Sequence, residues 1–379
     1  MANTLKLGNG NWATKEDALL AYNDENGNFK PLPFDFTRAS SATVVNKQGL
    51  IETVGSGKPR IDFGNDAKGA LLLEPQSTNL VQYSEDFSNA YWSKTNVNTS
   101  KHLSIKAPDG SYNANHIVDL GGGSMVRNPL ASFTDTKSIY VRTVSGVGKL
   151  HMLNFSGESD SLIDVDENWQ RIEISYNGQS FWERIYLCDF RELSTVSEIL
   201  IWGAQLEQGS YATSYIPTQG SAVTRVEDTA LGSGNSTVIN STEGVLYAEI
   251  SALGDSSNRY ISLSDGTTQN RVSIFYYSLT NRIRTIISSG GVNVVDLSFL
   301  VTSELDFHKV AVKYNLNDFS LWIDSVEVGT DTVGVVPIGL SDLSFSDGSV
   351  SNNFKGKVKS VQVYTTALTD SELAALTTI

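Results

Sequence analysis

Cysteine is almost missing: the 379 residues contain one, Cys188, so no disulfide can close within the chain. Histidine is scarce too, with His102, His116, His151 and His308 and no spacing that pairs two of them as metal ligands. Charged residues make up 18%, below the roughly 25% of an ordinary globular chain. Basic residues number 28 against 42 acidic, a formal charge of −14, and a surface of that sign repels nucleic acid and anionic lipid. No apolar run reaches transmembrane length, and Met-Ala-Asn-Thr-Leu-Lys-Leu-Gly has no signal-peptide core, so membrane insertion is not expected and synthesis in a cytoplasm is.

What fills the chain instead is period-two alternation punctuated by Gly, Asn, Asp and Ser. Ile139 and Val141 alternate with Tyr140 and Arg142; Ile172, Ile174 and Tyr176 alternate with Arg171, Glu173 and Ser175. Residues 271–277 and 309–314 read the same way. With no helices between strands, an all-β chain of two antiparallel β-sandwiches follows, after a loop-rich N-terminal segment. Hydrophobic residues, at 40%, suffice for two cores. Cys188, inside an apolar run, is expected in a core.

Two helices are expected. One runs over 14–22 (Thr-Lys-Glu-Asp-Ala-Leu-Leu-Ala-Tyr) with Thr14 as N-cap, and the other over 369–376, where Thr369 and Glu372 form a capping box. The polar, aperiodic stretch 226–243 reads as a linker, and a weaker boundary falls near Pro75. Pro31 and Pro33 keep residues 29–34 out of any central strand. The expected division is a leader over 1–75, a first sandwich over 76–225 and a second over 244–379. The leader's Leu19, Leu20, Phe34, Phe36 and Leu71 to Leu73 have no closed core of their own, which argues for burial against other copies in a homotrimer or against another protein.

Three regions carry a resemblance. Residues 78–92 (Thr-Asn-Leu-Val-Gln-Tyr-Ser-Glu-Asp-Phe-Ser-Asn-Ala-Tyr-Trp) and 201–218 (Ile-Trp-Gly-Ala-Gln-Leu-Glu-Gln-Gly-Ser-Tyr-Ala-Thr-Ser-Tyr-Ile-Pro-Thr) resemble the opening and closing of jelly-roll carbohydrate-binding-like modules of phage structural proteins. Upstream, 36–43, 49–52, Pro59-Arg60-Ile61-Asp62-Phe63 and Leu71-Leu72-Leu73-Glu74-Pro75 look like the leader of such modules in phage tail and fibre proteins. Residues 244–379 resemble a laminin-G or concanavalin A-like sandwich through 307–314, Phe319-Ser320-Leu321-Trp322-Ile323-Asp324 and 354–364. That family has Asp-Gly after the Trp-Ile pair, whereas here Ser325 follows Asp324. The resemblance implies binding rather than catalysis, and a virion location with other virion proteins as partners.

No Gly-x-Ser-x-Gly elbow is present, and Gly55-Ser56-Gly57-Lys58 is followed by Pro59 where a phosphate loop needs Ser or Thr. Both sandwich families imply a structural calcium ion, for which Asp265 and Asp347 are the carboxylates in Ser-Asp-Gly loops; as turns these loops are already explained. For a glycan, aromatic faces stack on sugar C–H faces. Trp92, Trp169, Trp202 and Trp322 sit at pattern positions and read as core. Trp182 lies outside the pattern and is the surface candidate, with Tyr140, Arg142 and Tyr186 expected on neighbouring strands. A glycan-cleaving depolymerase and a ligand-free spacer remain the alternatives.

Overall fold

The computed structural model describes residues 5–10, 12–15, 18–23, 30–64, 66–127, 135–152, 161–176, 186–190, 193–254, 257–278 and 281–379. Its regular structure is antiparallel strand with one helix among these residues, Asp370–Leu376, capped by Thr369 and Glu372 as their spacing requires. The chain forms two compact units: Met1–Ser41, Val54–Pro75 and Val226–Ile379, and separately Ala42–Thr53 with Gln76–Arg225.

The first unit is a two-sheet sandwich. One sheet runs Ala13–Lys15, Ala18–Asn23, Leu5–Gly8, Gly356–Tyr364, Glu243–Ala252, His308–Asn315, Asp318–Ile323, Val326–Asp331. The other, of five strands, runs Val292–Leu300, Arg282–Ser289, Arg271–Tyr276, Arg259–Ser264, Asp342–Ser344. Alternation decides the faces: Leu246, Ala248 and Ile250 meet Ile261, Leu263, Val272 and Ile274 in one buried cluster.

Several expectations change here. Residues 14–22 hold strands, not a helix: Ala13–Lys15 and Lys30–Pro33 both pair with Ala18–Asn23. Ala-Leu-Leu-Ala favours helix locally, but pairing carries the segment into the large sheet, an override that weak propensity allows. Nor is 1–75 a separate leader. Leu5–Gly8 pairs with Gly356–Tyr364, and Leu19, Phe34, Leu71, Leu72 and Leu73 are buried within this chain, the first three and Leu73 in the first unit's main core. These side chains are therefore not left over for a trimer interface. The stretch 226–243 is not an exposed linker either: Thr229–Leu231 pairs with Asp35–Thr37, and Asp228, Val238 and Ile239 are buried.

The leader string acquires a physical account. Arg38, Arg60 and Glu74 converge with Asp228, all four at most 2% exposed. Arg38 Nη1 donates to Asp228 Oδ1 at 3.0 Å, Arg60 Nη1 lies 2.8 Å from Glu74 Oε2, and Asp228 Oδ2 accepts from Arg60 and from the Glu74 amide. Burial lowers the Arg60 pKa, but the Glu74 and Asp228 carboxylates outweigh it, so the net shift is upward. The Gly55–Lys58 turn serves the same cluster: Gly55 and Lys58 carbonyls accept from Arg38. Charges so deep are tolerated only when paired and fully hydrogen-bonded.

Asp324 (φ 50°) and Ser325 (φ 74°) both adopt the left-handed region, so the hairpin keeps the tight geometry for which Asp-Gly is preferred. His308, 7% exposed, holds it, with Nδ1 2.6 Å from Asp324 Oδ2 and Nε2 2.9 Å from the Ser303 carbonyl.

The second unit centres on one sheet: Ser161–Val165, Gly148–Met152, Tyr186–Asp189, Asn115–Arg127, Glu198–Gln208, Asp135–Arg142, Gln170–Tyr176, with Trp92–Lys101 also on Asn115–Arg127. Phe87, Trp92, Ile117, Ile139, Val141, Ile199 and Ile201 fill its core. The opening and closing strings interlock. Asn79 donates to the Ala204 and Ile216 carbonyls and accepts from the Val81 and Leu206 amides. Buried Glu207 accepts from Ser77, from Gln205 and from the amide and hydroxyl of Thr213.

Candidate functional site

Tyr140 and Arg142 do share the face of their strand opposite Ile139 and Val141, which face the core. Trp202, opposite Tyr140 in the register, packs on it with centroids 5.7 Å apart, and Arg171 lies 5.7 Å over the Tyr140 ring. Trp169 packs half-buried against this cluster and donates from Nε1 to the Lys106 carbonyl at 2.8 Å. Arg142 is half-buried; its Nε donates to the Thr143 carbonyl. The surface therefore offers two guanidiniums beside Tyr140 and Trp169, and Arg171 and Trp169 are additions to the expected pair.

Tyr186 does not join them. In the sheet order, strands Asn115–Arg127 and Glu198–Gln208 come between its strand and that of Tyr140. Nearness in sequence pattern says nothing of strand order in a jelly roll. Trp182 lies outside the described residues, as does the side chain of Cys188. Trp92, Trp202 and Trp322 are buried.

A cleft of about 480 Å³ opens in the same unit, lined by Val147, Lys149, Asp164, Asp166, Gln170 and Thr195 among others. Lys149 Nζ lies 2.6 Å from Asp164 Oδ1. It offers groups that hydrogen-bond hydroxyls, but no aromatic lining residue on which a sugar ring would stack.

In the first unit, the Asp265 and Asp347 loops repeat one design. Asp265 Oδ1 accepts from the Thr267 amide and hydroxyl and Oδ2 from Asn270; Asp347 does the same with Ser349 and Asn352. These hydrogen bonds, outweighing burial, hold both carboxyls below the usual range. All four oxygens thus stabilise turns. Among the described residues, no group of three or more His, Cys, Asp or Glu side chains could hold a metal.

The outer face of the five-stranded sheet carries a constellation that alternation alone did not reveal. Tyr260 and Phe275 stack at 4.0 Å and 11°. Arg271 lies 5.4 Å over Tyr260, and Arg284 lies 5.9 Å over Phe275 and 5.0 Å over Tyr277. The Arg284 Nε donates to Asp296 at 2.7 Å, and that pairing raises its pKa. Alternation turns Tyr260, Arg271, Phe275 and Arg284 to this face, where Tyr260 and Phe275 are buried under their neighbours, and only the pairing register brings the four together.

Residues 246–374 match the family described as the concanavalin A-like lectin/glucanases superfamily. No curated protein sequence matches the chain. Among solved structures it is similar to the CBM40 of a Ruminococcus gnavus IT-sialidase, 18% identical with a TM-score of 0.33, over 39% of this chain and 93% of that one. It is similar also to domain 4 of a Geobacillus stearothermophilus GH43 extracellular arabinanase, in complex with arabinotriose (12% identical, TM-score 0.33, 45% and 82% covered). A third is the mouse laminin alpha1 chain, domains LG4-5 (8% identical, TM-score 0.27, 63% and 85% covered). At that level of similarity neither ligand nor activity transfers.

Proposed function

We propose that the chain is a non-enzymatic, glycan-binding structural subunit of a bacteriophage virion appendage: a tail fibre, head fibre or decoration. The observation that carries the glycan part is the lectin-family match of residues 246–374. The virion part rests on the resemblance of the leader and module strings to phage tail and fibre proteins. Host surface polysaccharide is the expected ligand, with a dissociation constant on the order of micromolar to millimolar per site, raised by many copies on one particle.

Antibody labelling of intact particles tests the location: label on head or tail is expected, and particles free of the protein overturn it. Titration with host polysaccharide tests the ligand, and Trp182→Ala is expected to weaken binding without lowering the melting temperature. A fibre-like assembly calls for a homotrimer; light scattering showing a monomer at micromolar concentration rejects it.

A further inference from the structure

The outer face of the five-stranded sheet gathers positive charge on a chain of net charge −14. Arg271, Arg282 and Arg284 alternate outward from two adjacent strands, opposite Ile283 and Ile274, which point into the core. Asp296 answers Arg284, and Arg282 Nη1 donates to Ser298 at 3.0 Å. The nearby Asp347 carboxylate is committed to its own turn.

Arg271 is held in another way. Its guanidinium lies over Tyr260, and Nη1 donates to the Asp347 carbonyl at 2.7 Å. Among the described residues no carboxylate pairs with Arg271 or with Arg282, and the buried Nε of each has no acceptor; of the two, Arg271 is the one whose guanidinium rests on the Tyr260 ring. Across Tyr260, Asn353 is bridged to that residue by backbone, and its buried Oδ1 has no donor. A half-buried cation fixed on a ring without an anion is incompletely compensated, and a planar guanidinium matches a carboxylate's two oxygens. A neutral sugar supplies no such charge.

We infer that Arg271 and Tyr260, flanked by Asn353 and Arg284, form a subsite for the carboxylate of an acidic sugar, a hexuronate residue of an anionic polysaccharide. Arg271 takes the carboxylate, while the Tyr260 hydroxyl and the Asn353 amide meet neighbouring hydroxyls. The inference rests on the glycan reading and narrows it to a ligand class and a face.

Calorimetric titration of the full chain with tetragalacturonate and with neutral maltotetraose tests it. The uronate is expected to bind about tenfold more tightly than the neutral sugar and to weaken as salt rises. Arg271→Lys keeps the charge and loses the fork, so affinity for the uronate should fall about tenfold with the melting temperature unchanged. Should that variant melt early, Tyr260→Phe, which removes only a hydroxyl, is expected to weaken the uronate several-fold. Equal binding of both sugars, or full uronate affinity in both Arg271→Lys and Tyr260→Phe, overturns the subsite and leaves the glycan reading standing. Binding of neither sugar, nor of host polysaccharide, overturns both.

Discussion

The two units solve one problem with different chemistry. Each must join segments far apart in sequence, and each does so around a fully buried carboxylate. In the first, Asp228 meets Arg38 and Arg60, 190 and 168 residues away. In the second, Glu207 meets Ser77, 130 residues away, with Gln205 and Thr213 close by, and none of these donors is charged. Neutral donors can stabilise a buried carboxylate only if every lone pair is met, whereas two guanidiniums compensate the charge and leave cations stranded when it is removed. The first joint should therefore be the more brittle.

That contrast is sharpest for Asp228→Ala, which leaves Arg38 without its anion and Arg60 with Glu74 alone. A loss of about 3–5 kcal/mol is expected by denaturant titration, confined to the unfolding of the first unit. A loss smaller than that caused by Glu207→Gln contradicts it. Lys137 in the second unit supplies a charge effect of opposite sign. It is buried among Ile174 and Leu206 strand partners, and desolvation lowers its pKa to about 7. Between pH 7 and its unfolded value near 10.5, the unfolded chain holds a proton that the folded one lacks, so stability rises with pH in that window. Lys137→Met should abolish the rise. A pH-independent wild type contradicts this.

Glu207→Gln turns one acceptor into a donor facing donors, and about 1–3 kcal/mol should be lost from the second unit only. Ser325→Gly relieves a left-handed residue and should stabilise the first unit by about 0.5–1 kcal/mol, offset in part by its lost hydrogen bond to Thr378. Chelation with EDTA should leave both melting transitions in place, because turn donors already occupy the Asp265 and Asp347 oxygens.

Much of this was legible from alternation. Ile139 and Val141 point to a core and Tyr140 and Arg142 away from it, as period two requires, and Thr369 with Glu372 marked the last helix. What alternation cannot encode is which strand lies beside which. Tyr186 and Tyr140 were expected together and are separated by two strands, and Arg38, Arg60 and Glu74 have a partner, Asp228, in what reads as a linker. Residues 14–22 misled for a different reason: local helix preference amounts to tenths of a kcal/mol per residue and yields to sheet pairing. The Arg271–Tyr260–Phe275–Arg284 row needed the pairing register before its members became neighbours.

Binding without cleavage is decided when the purified chain is incubated with host surface polysaccharide while bound protein and free reducing ends are followed together. Saturable binding with reducing ends flat at the level of the heat-inactivated control is the expected result. Reducing ends that rise with time and protein concentration would contradict it and make the chain a depolymerase.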